Sequence, residues 1–149
     1  MKKTTILGIL FLIIGIVIGV KYTSAKKVLE NVFLNDTTYY FLQEGVYTSD
    51  IILKENTEDL DVKLIELIDG KYYVYLGITK DEDNAKKIKD IYAEQGYNIY
   101  IKEQTLSNEE FANNLTQFDL LLNNTTSTNE ILTITEVILA NYEEIIKNK

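Results

Sequence analysis

The side chains that could do chemistry in this chain are carboxylates, lysines and tyrosines. The sequence contains no Cys, His, Trp or Pro, and all 15 of its cationic residues are lysine. A thiolate nucleophile, a Ser–His or Cys–His system and a thiolate or imidazole zinc site are therefore excluded. The lack of Arg and a formal net charge of −8 also argue against a nucleic-acid partner.

Two groups of acidic residues are candidates for catalysis or metal binding. Glu44 and Glu66 could flank a glycosidic bond, but the sequence does not give the distance between them. The run from Asp81 to Asn84 starts like a calcium loop but lacks the glycine at the sixth position and the distal Glu, so it is better interpreted as a helix cap. We therefore expect no enzyme, with no catalytic residue, no metal and no cofactor.

The apolar pattern predicts an α+β fold. A strand over residues 39–43 ends at Gly45, and a short helix follows from Thr48 or Ser49. Residues 62–68 and 71–78 form a hairpin around Asp69-Gly70, the strongest strand signal in the chain. A helix from Asp81 or Asp83 to Gly96, with Ala85, Ile88, Ile91 and Tyr92 on one stripe, precedes a strand over residues 97–102. The resulting βαββαβ order predicts four antiparallel strands with two helices on one face and the other face open.

Alternation along the strands places aromatic and amide side chains together on the open face. If Val74 and Leu76 point to the helices, Tyr73 and Tyr75 point away from them. Aromatic rings stack on the apolar faces of sugars, and amides donate and accept hydrogen bonds around them. The candidate binding residues are Phe41, Gln43, Tyr73, Tyr75, Asn98, Tyr100 and Lys102. Two alternatives stay open: the C-terminal helices cover this face, or Tyr is present only as a good strand former.

Two segments resemble the SPOR domain family. Residues 40–47, Tyr-Phe-Leu-Gln-Glu-Gly-Val-Tyr, are similar to the family's opening motif, an aromatic followed by x-Val-Gln-x-Gly-x-aromatic. Residues 74–77, Val-Tyr-Leu-Gly, followed by the charged helix that contains Ala85, resemble its Val-x-Val-Gly strand and helix. The sequence departs from the pattern at Val46, at Tyr75, where an Arg is frequent, and at Ile78-Thr79.

The resemblance implies non-catalytic binding of peptidoglycan, in particular of glycan strands without stem peptides, by the open sheet face. Gln43 would then be the amide of the first strand that contacts the glycan. Such domains are carried outside the membrane on a single-pass anchor and collect at division or sporulation septa, which implies a role in the bacterial cell envelope.

An N-terminal membrane anchor is predicted over residues 4–20, which are uncharged, mostly apolar and flanked by lysines. A helix of this length covers roughly 26 Å, just enough for a hydrocarbon layer of about 30 Å. The alternative is a signal peptide cleaved after Ala25. Both interpretations export the C-terminal part, in which ten lysines stand against 23 acidic residues, a net charge of about −13.

The last third of the chain predicts two helices. Ser107 to Glu110 form a capping box before the first, and the second runs from about Glu130 to Lys147 with a wide apolar stripe. The predicted organisation is an anchor (1–21), a linker (22–37), a SPOR-like domain (38–105) and a helical hairpin (106–149). As an alternative function, this hairpin binds a protein partner or a second copy of the chain.

Overall fold

The computed structural model describes residues 37–148, which form four strands and four helices. The predicted α+β class and the four-stranded antiparallel sheet are confirmed. In chain order the elements are β1 (Thr38–Tyr47), α1 (Asp50–Thr57), β2 (Leu64–Ile68), β3 (Lys71–Thr79), α2 (Glu82–Glu94), β4 (Tyr100–Thr105), α3 (Glu109–Asn123) and α4 (Thr128–Lys147).

The sheet has the strand order β2-β3-β1-β4, and every neighbouring pair is antiparallel. β2 and β3 are joined by the predicted Asp-Gly turn, in which Asp69 and Gly70 have φ values of 50° and 75°. Positive φ at both residues is the backbone of a type I′ turn, whose twist matches that of the strands. β1 pairs with β3 and β4, and its register with β3 shifts on both sides of Gln43. Gln43 therefore lies at an irregularity in the centre of the sheet.

The helix α2 begins and ends where its sequence predicts. The Asp81 carboxylate accepts hydrogen bonds from the backbone N–H groups of Asp83 and Asn84 at 2.9 and 3.1 Å. At the other end Gly96 has a φ of 91°, the left-handed conformation that suits glycine after a helix. The predicted apolar stripe is buried, and the helix packs against β1 and β3.

β4 begins three residues later than predicted, at Tyr100 instead of Tyr97. The Tyr97 N–H donates to the Tyr92 carbonyl at 3.0 Å, and the two rings meet edge to face with centroids 6.5 Å apart. Because these contacts use Tyr97 to complete the end of α2, the chain joins the sheet only after Ile99, which is buried.

The C-terminal helices α3 and α4 cover part of the aromatic face of the sheet. Phe111 of α3 stacks on Tyr39 with centroids 5.9 Å apart, and Tyr142 of α4 meets Phe41 edge to face at 5.3 Å. The prediction of an open face is therefore wrong in this region. The reason is that the apolar stripes of both helices need burial and find it on the sheet, so that sheet and helices share one hydrophobic core.

The helix starts differ slightly from those predicted. Asn108 caps α3 by accepting the Phe111 N–H at 2.8 Å, and Ser127 caps α4, which begins at Thr128.

None of the helices within residues 37–148 is long and apolar enough to cross a membrane. The predicted anchor (residues 4–20) and nearly all of the predicted linker lie outside the described residues.

Candidate functional site

Two of the seven predicted binding residues belong to the core. Phe41 is 0% exposed and Tyr75 is 2% exposed. Their rings meet edge to face with centroids 5.2 Å apart, and Phe41 also contacts Tyr142. Neither ring reaches solvent, so the prediction that they contact a ligand is wrong for this structure, because α4 occupies the space above them.

The other five predicted residues retain access to solvent. Tyr100 is 61% exposed, Asn98 and Lys102 are exposed, and Gln43 and Tyr73 are partly buried. We call this group the tyrosine strip: Gln43, Tyr73, Asn98, Tyr100 and Lys102.

Three neighbouring strands position the tyrosine strip. Gln43 of β1 lies opposite Tyr100 of β4 on one side and opposite Tyr75 of β3 on the other. Directly opposite residues of an antiparallel pair point to the same face, so these side chains share the face that α4 covers further along. The predicted sorting of side chains between the two faces is thus correct for this part of the sheet.

The aromatic part of the strip continues from the core to the surface. The Tyr73 ring lies nearly parallel to the Tyr75 ring, with centroids 6.5 Å apart and an angle of 18° between the planes. The Lys102 ammonium lies over the Tyr73 ring, 5.7 Å from its centroid, in a cation–π contact. The Tyr73 ring is therefore held between neighbours, and the fully packed Tyr75 supports it from below.

The amides of the strip supply polar groups at fixed positions. The Gln43 Oε1 atom is buried and has no hydrogen-bond partner within the described residues. A buried acceptor without a donor is costly, so this oxygen lowers the stability of the fold. The Asn98 side chain donates a 3.4 Å hydrogen bond to the Tyr100 hydroxyl, which links the second amide to the most exposed ring.

The surroundings of Tyr75, which supports the strip, raise the pKa of its hydroxyl. Burial raises the pKa of the Tyr75 hydroxyl, a hydrogen bond with the Gln104 side chain lowers it, and the charge of Glu66 raises it. Glu66 pairs across the sheet with Tyr73, so one carboxylate borders the strip. Tyr142 lies on α4, which covers the neighbouring part of this sheet face. Burial also raises the pKa of its hydroxyl, and the charge of Glu66 adds to this shift.

The arrangement is suited to binding. Within residues 37–148 no group of three or more Asp, Glu, His or Cys residues could hold a metal ion. Of the two carboxylates considered for glycosidase chemistry, Glu44 accepts hydrogen bonds from the Tyr47 hydroxyl at 2.8 and 2.9 Å. What the strip offers is stacking surface, an ammonium group and amides, which can hold a polar ligand without reacting with it.

A buried polar cluster joins the sheet to the C-terminal helices, and the sequence pattern did not predict it. Asp119 of α3 accepts hydrogen bonds from the Thr79 hydroxyl and, at 3.0 Å, from the Lys80 N–H. The Asn84 amide donates to the Asp119 carbonyl at 3.1 Å. The Lys80 ammonium donates to the Ala112 carbonyl at 2.9 Å. In the sequence, the one sign of this cluster is that Asp119 lies next to the apolar stripe of α3.

Burial dominates the electrostatics of this cluster. It raises the pKa of the Asp119 carboxyl, although hydrogen bonds from Thr79, Lys80 and Asn84 lower it, and the neighbouring Asp81 charge raises it further. Burial lowers the pKa of the Lys80 ammonium, and the charge of Asp119 raises it. The cluster has a structural role, because it fixes the start of α2 against α3.

Comparisons of this chain with family models, with curated proteins and with solved structures find no match. The features that bear on function are the geometry of the tyrosine strip and the two motifs in the sequence.

Proposed function

We propose that this chain is a non-catalytic binding module of the bacterial cell envelope that holds peptidoglycan glycan strands on the tyrosine strip. In this proposal the βαββαβ unit is a SPOR-like domain, residues 4–20 anchor it as a single-pass protein, and its C-terminal part lies outside the membrane. The observation that carries the proposal is the exposed Tyr100 ring opposite Gln43, on the sheet face that also carries the supported Tyr73 ring.

The chemistry of the strip suits a glycan without stem peptides. Such a strand is a mostly neutral sugar chain, so it can approach a domain with a large excess of acidic residues. Its apolar sugar faces can stack on Tyr73 and Tyr100, and its lactyl carboxylates can pair with Lys102. Sugar hydroxyls and acetamido groups can form hydrogen bonds with the partly exposed Gln43 amide.

The alternative function, protein binding by the C-terminal helices, finds less support. The apolar stripe of α4, including Ile131, Ile134, Ile138 and Tyr142, is buried within the core shared with the sheet. The stripe is therefore occupied, although the outer surfaces of both helices stay available. The exposed Leu120 of α3 is a single apolar residue of the kind that soluble surfaces commonly carry.

Sedimentation with sacculi tests the proposal. Purified residues 28–149 should pellet with amidase-treated sacculi, which carry denuded glycan, more than with untreated sacculi. Tyr100→Ser should lower the bound fraction because it removes a stacking surface, an effect of roughly two- to tenfold in affinity. Leu120→Ser is the matched control, since Leu120 is 52% exposed but lies on α3, outside the strip.

A second variant separates binding from stability. Gln43→Leu removes an unpartnered buried oxygen, so the thermal midpoint should stay the same or rise while glycan binding falls. If Leu120→Ser weakens binding as much as Tyr100→Ser, or if the wild type binds no form of glycan, the proposal fails.

A further inference from the structure

The strand β2 forms an apolar edge of the sheet. Ile65, Leu67 and Ile68 are all exposed, Leu67 by 61%, and they lie within the five residues of this strand. β2 is the first strand in the order β2-β3-β1-β4, so within residues 37–148 it has a strand neighbour on one side only. The outward N–H and C=O groups of an edge strand can pair with a strand of another molecule.

β2 lacks the features that usually protect a sheet edge. Natural edge strands carry lysine, proline or a bulge, each of which hinders pairing with a further strand. The sequence of β2 is Leu-Ile-Glu-Leu-Ile, and its pairing with β3 has no register shift. Its one charged residue, Glu66, lies opposite Tyr73 and therefore points to the face of the tyrosine strip. Ile65 and Leu67 point to the other face.

This edge is complementary to itself in one antiparallel register. When two copies of β2 meet around a two-fold axis at Glu66, Ile65 of each copy lies opposite Leu67 of the other. At both ends of this register Lys63 of one copy lies opposite Asp69 of the other, so opposite charges flank the apolar pairs. Apolar and oppositely charged cross-strand pairs stabilise a sheet. The one like-charged pair is Glu66 with its own copy, on the axis.

We propose that β2 pairs with β2 of a second copy of this chain in the register centred on Glu66, so that two four-stranded sheets join into one continuous sheet. The axis of such a pair is perpendicular to the sheet, so both tyrosine strips lie on the same face. The strip lies on or next to β1, β3 and β4, and β4 is the opposite edge, so the pairing leaves it accessible. The association does not depend on glycan binding.

Single cysteines test this register, because the chain has no cysteine of its own. Directly opposite residues of an antiparallel pair have Cβ atoms about 5 Å apart, close enough for a disulfide after a small adjustment. In the full chain, kept in a non-ionic detergent with oxidised glutathione, Glu66→Cys should therefore form a disulfide-linked dimer on a non-reducing gel.

Two matched variants control for random collisions. Ile68→Cys lies on the same strand and is more exposed than Glu66, but in this register its two copies are about 13 Å apart, the length of four strand residues. Leu120→Cys is exposed on α3. Both should cross-link at least fivefold more slowly than Glu66→Cys.

A further pair of variants tests the apolar edge itself. In the Glu66→Cys background, Leu67→Lys places a charge on the edge and should slow cross-linking at least fivefold. Leu120→Lys makes the same change at a similarly exposed position on α3 and should alter the rate less than twofold. Cross-linking of Glu66→Cys no faster than that of Ile68→Cys or Leu120→Cys would overturn the proposal and leave the edge to a strand of another protein. Equal effects of the two lysine variants would overturn it as well.

Discussion

Asp119 is a carboxylate in the joint between the sheet and the C-terminal helices. Its three donors come from the segment that leaves β3 and enters α2, namely Thr79, Lys80 and Asn84. The pKa of Asp119 is nevertheless raised, because burial outweighs these hydrogen bonds. The folded state therefore binds the Asp119 proton more tightly than the unfolded state does.

The pH dependence of stability should reveal this shift. A carboxyl whose pKa is raised on folding contributes stability below its unfolded pKa, near 4, and loses that contribution as the pH rises through its folded pKa. Asp119→Asn removes this titration. In urea titrations the free energy of unfolding of Asp119→Asn minus that of wild type should therefore increase from pH 4 to pH 7, so that the variant gains stability relative to wild type.

The control for this prediction is Asp90→Asn, which removes one charge from an exposed position on α2. It measures how much of the effect comes from net charge alone. An Asp119→Asn variant whose relative stability falls as the pH rises would contradict the prediction.

At the scale of elements, most of the boundaries that were predicted correctly depend on local signals in the sequence. The Asp-Gly turn, the Asp81 cap and the Gly96 stop act within a few residues, and each lies where the sequence placed it. The predicted start of β4 was wrong because Tyr97 can either continue a strand or pack on Tyr92. Only the position of Tyr92 in the fold decides between these two conformations. Pattern alone does not contain that information.

The β2–β3 turn offers a sharp test of local backbone conformation. An alanine side chain at Gly70 would meet no atom within 4 Å, so Gly70→Ala should destabilise only through its φ of 75°. The expected loss is about 1 kcal/mol, measured as a lower urea midpoint at an unchanged slope.

Asp69→Gly is the matched variant in the same turn. Asp69 also has a positive φ, of 50°, so glycine relieves this position and should leave stability equal or slightly higher. The prediction fails if the two variants shift the midpoint in the same direction by similar amounts.

At the scale of the whole molecule, the sheet and the C-terminal helices form one unit. Phe111 packs on the Tyr39 ring, and Tyr142 packs on the Phe41 ring. Phe41 in turn contacts the Tyr75 ring. The sequence allowed this arrangement and an open face equally, since both give the same alternation along the strands. Which surface covers a sheet face depends on long-range packing, and two amphipathic helices joined by a short linker do not specify it.

Truncation tests this single core. Residues 28–105, without α3 and α4, should expose three core rings, lose cooperative unfolding and aggregate, as seen by light scattering and by poor dispersion of amide proton shifts. A folded, monomeric fragment would show instead that residues 38–105 form an independent domain and that the helices are an addition to it.

The Phe41–Tyr142 contact also sets the time at which the molecule can fold. The two residues are roughly 100 positions apart, and contacts between such distant residues must wait until both have been synthesised. Until α4 emerges, the first strand carries bare aromatic rings that attract other apolar surfaces. The core can therefore close only after α4 has been synthesised, and until then β1 has to be kept apart from other nascent chains.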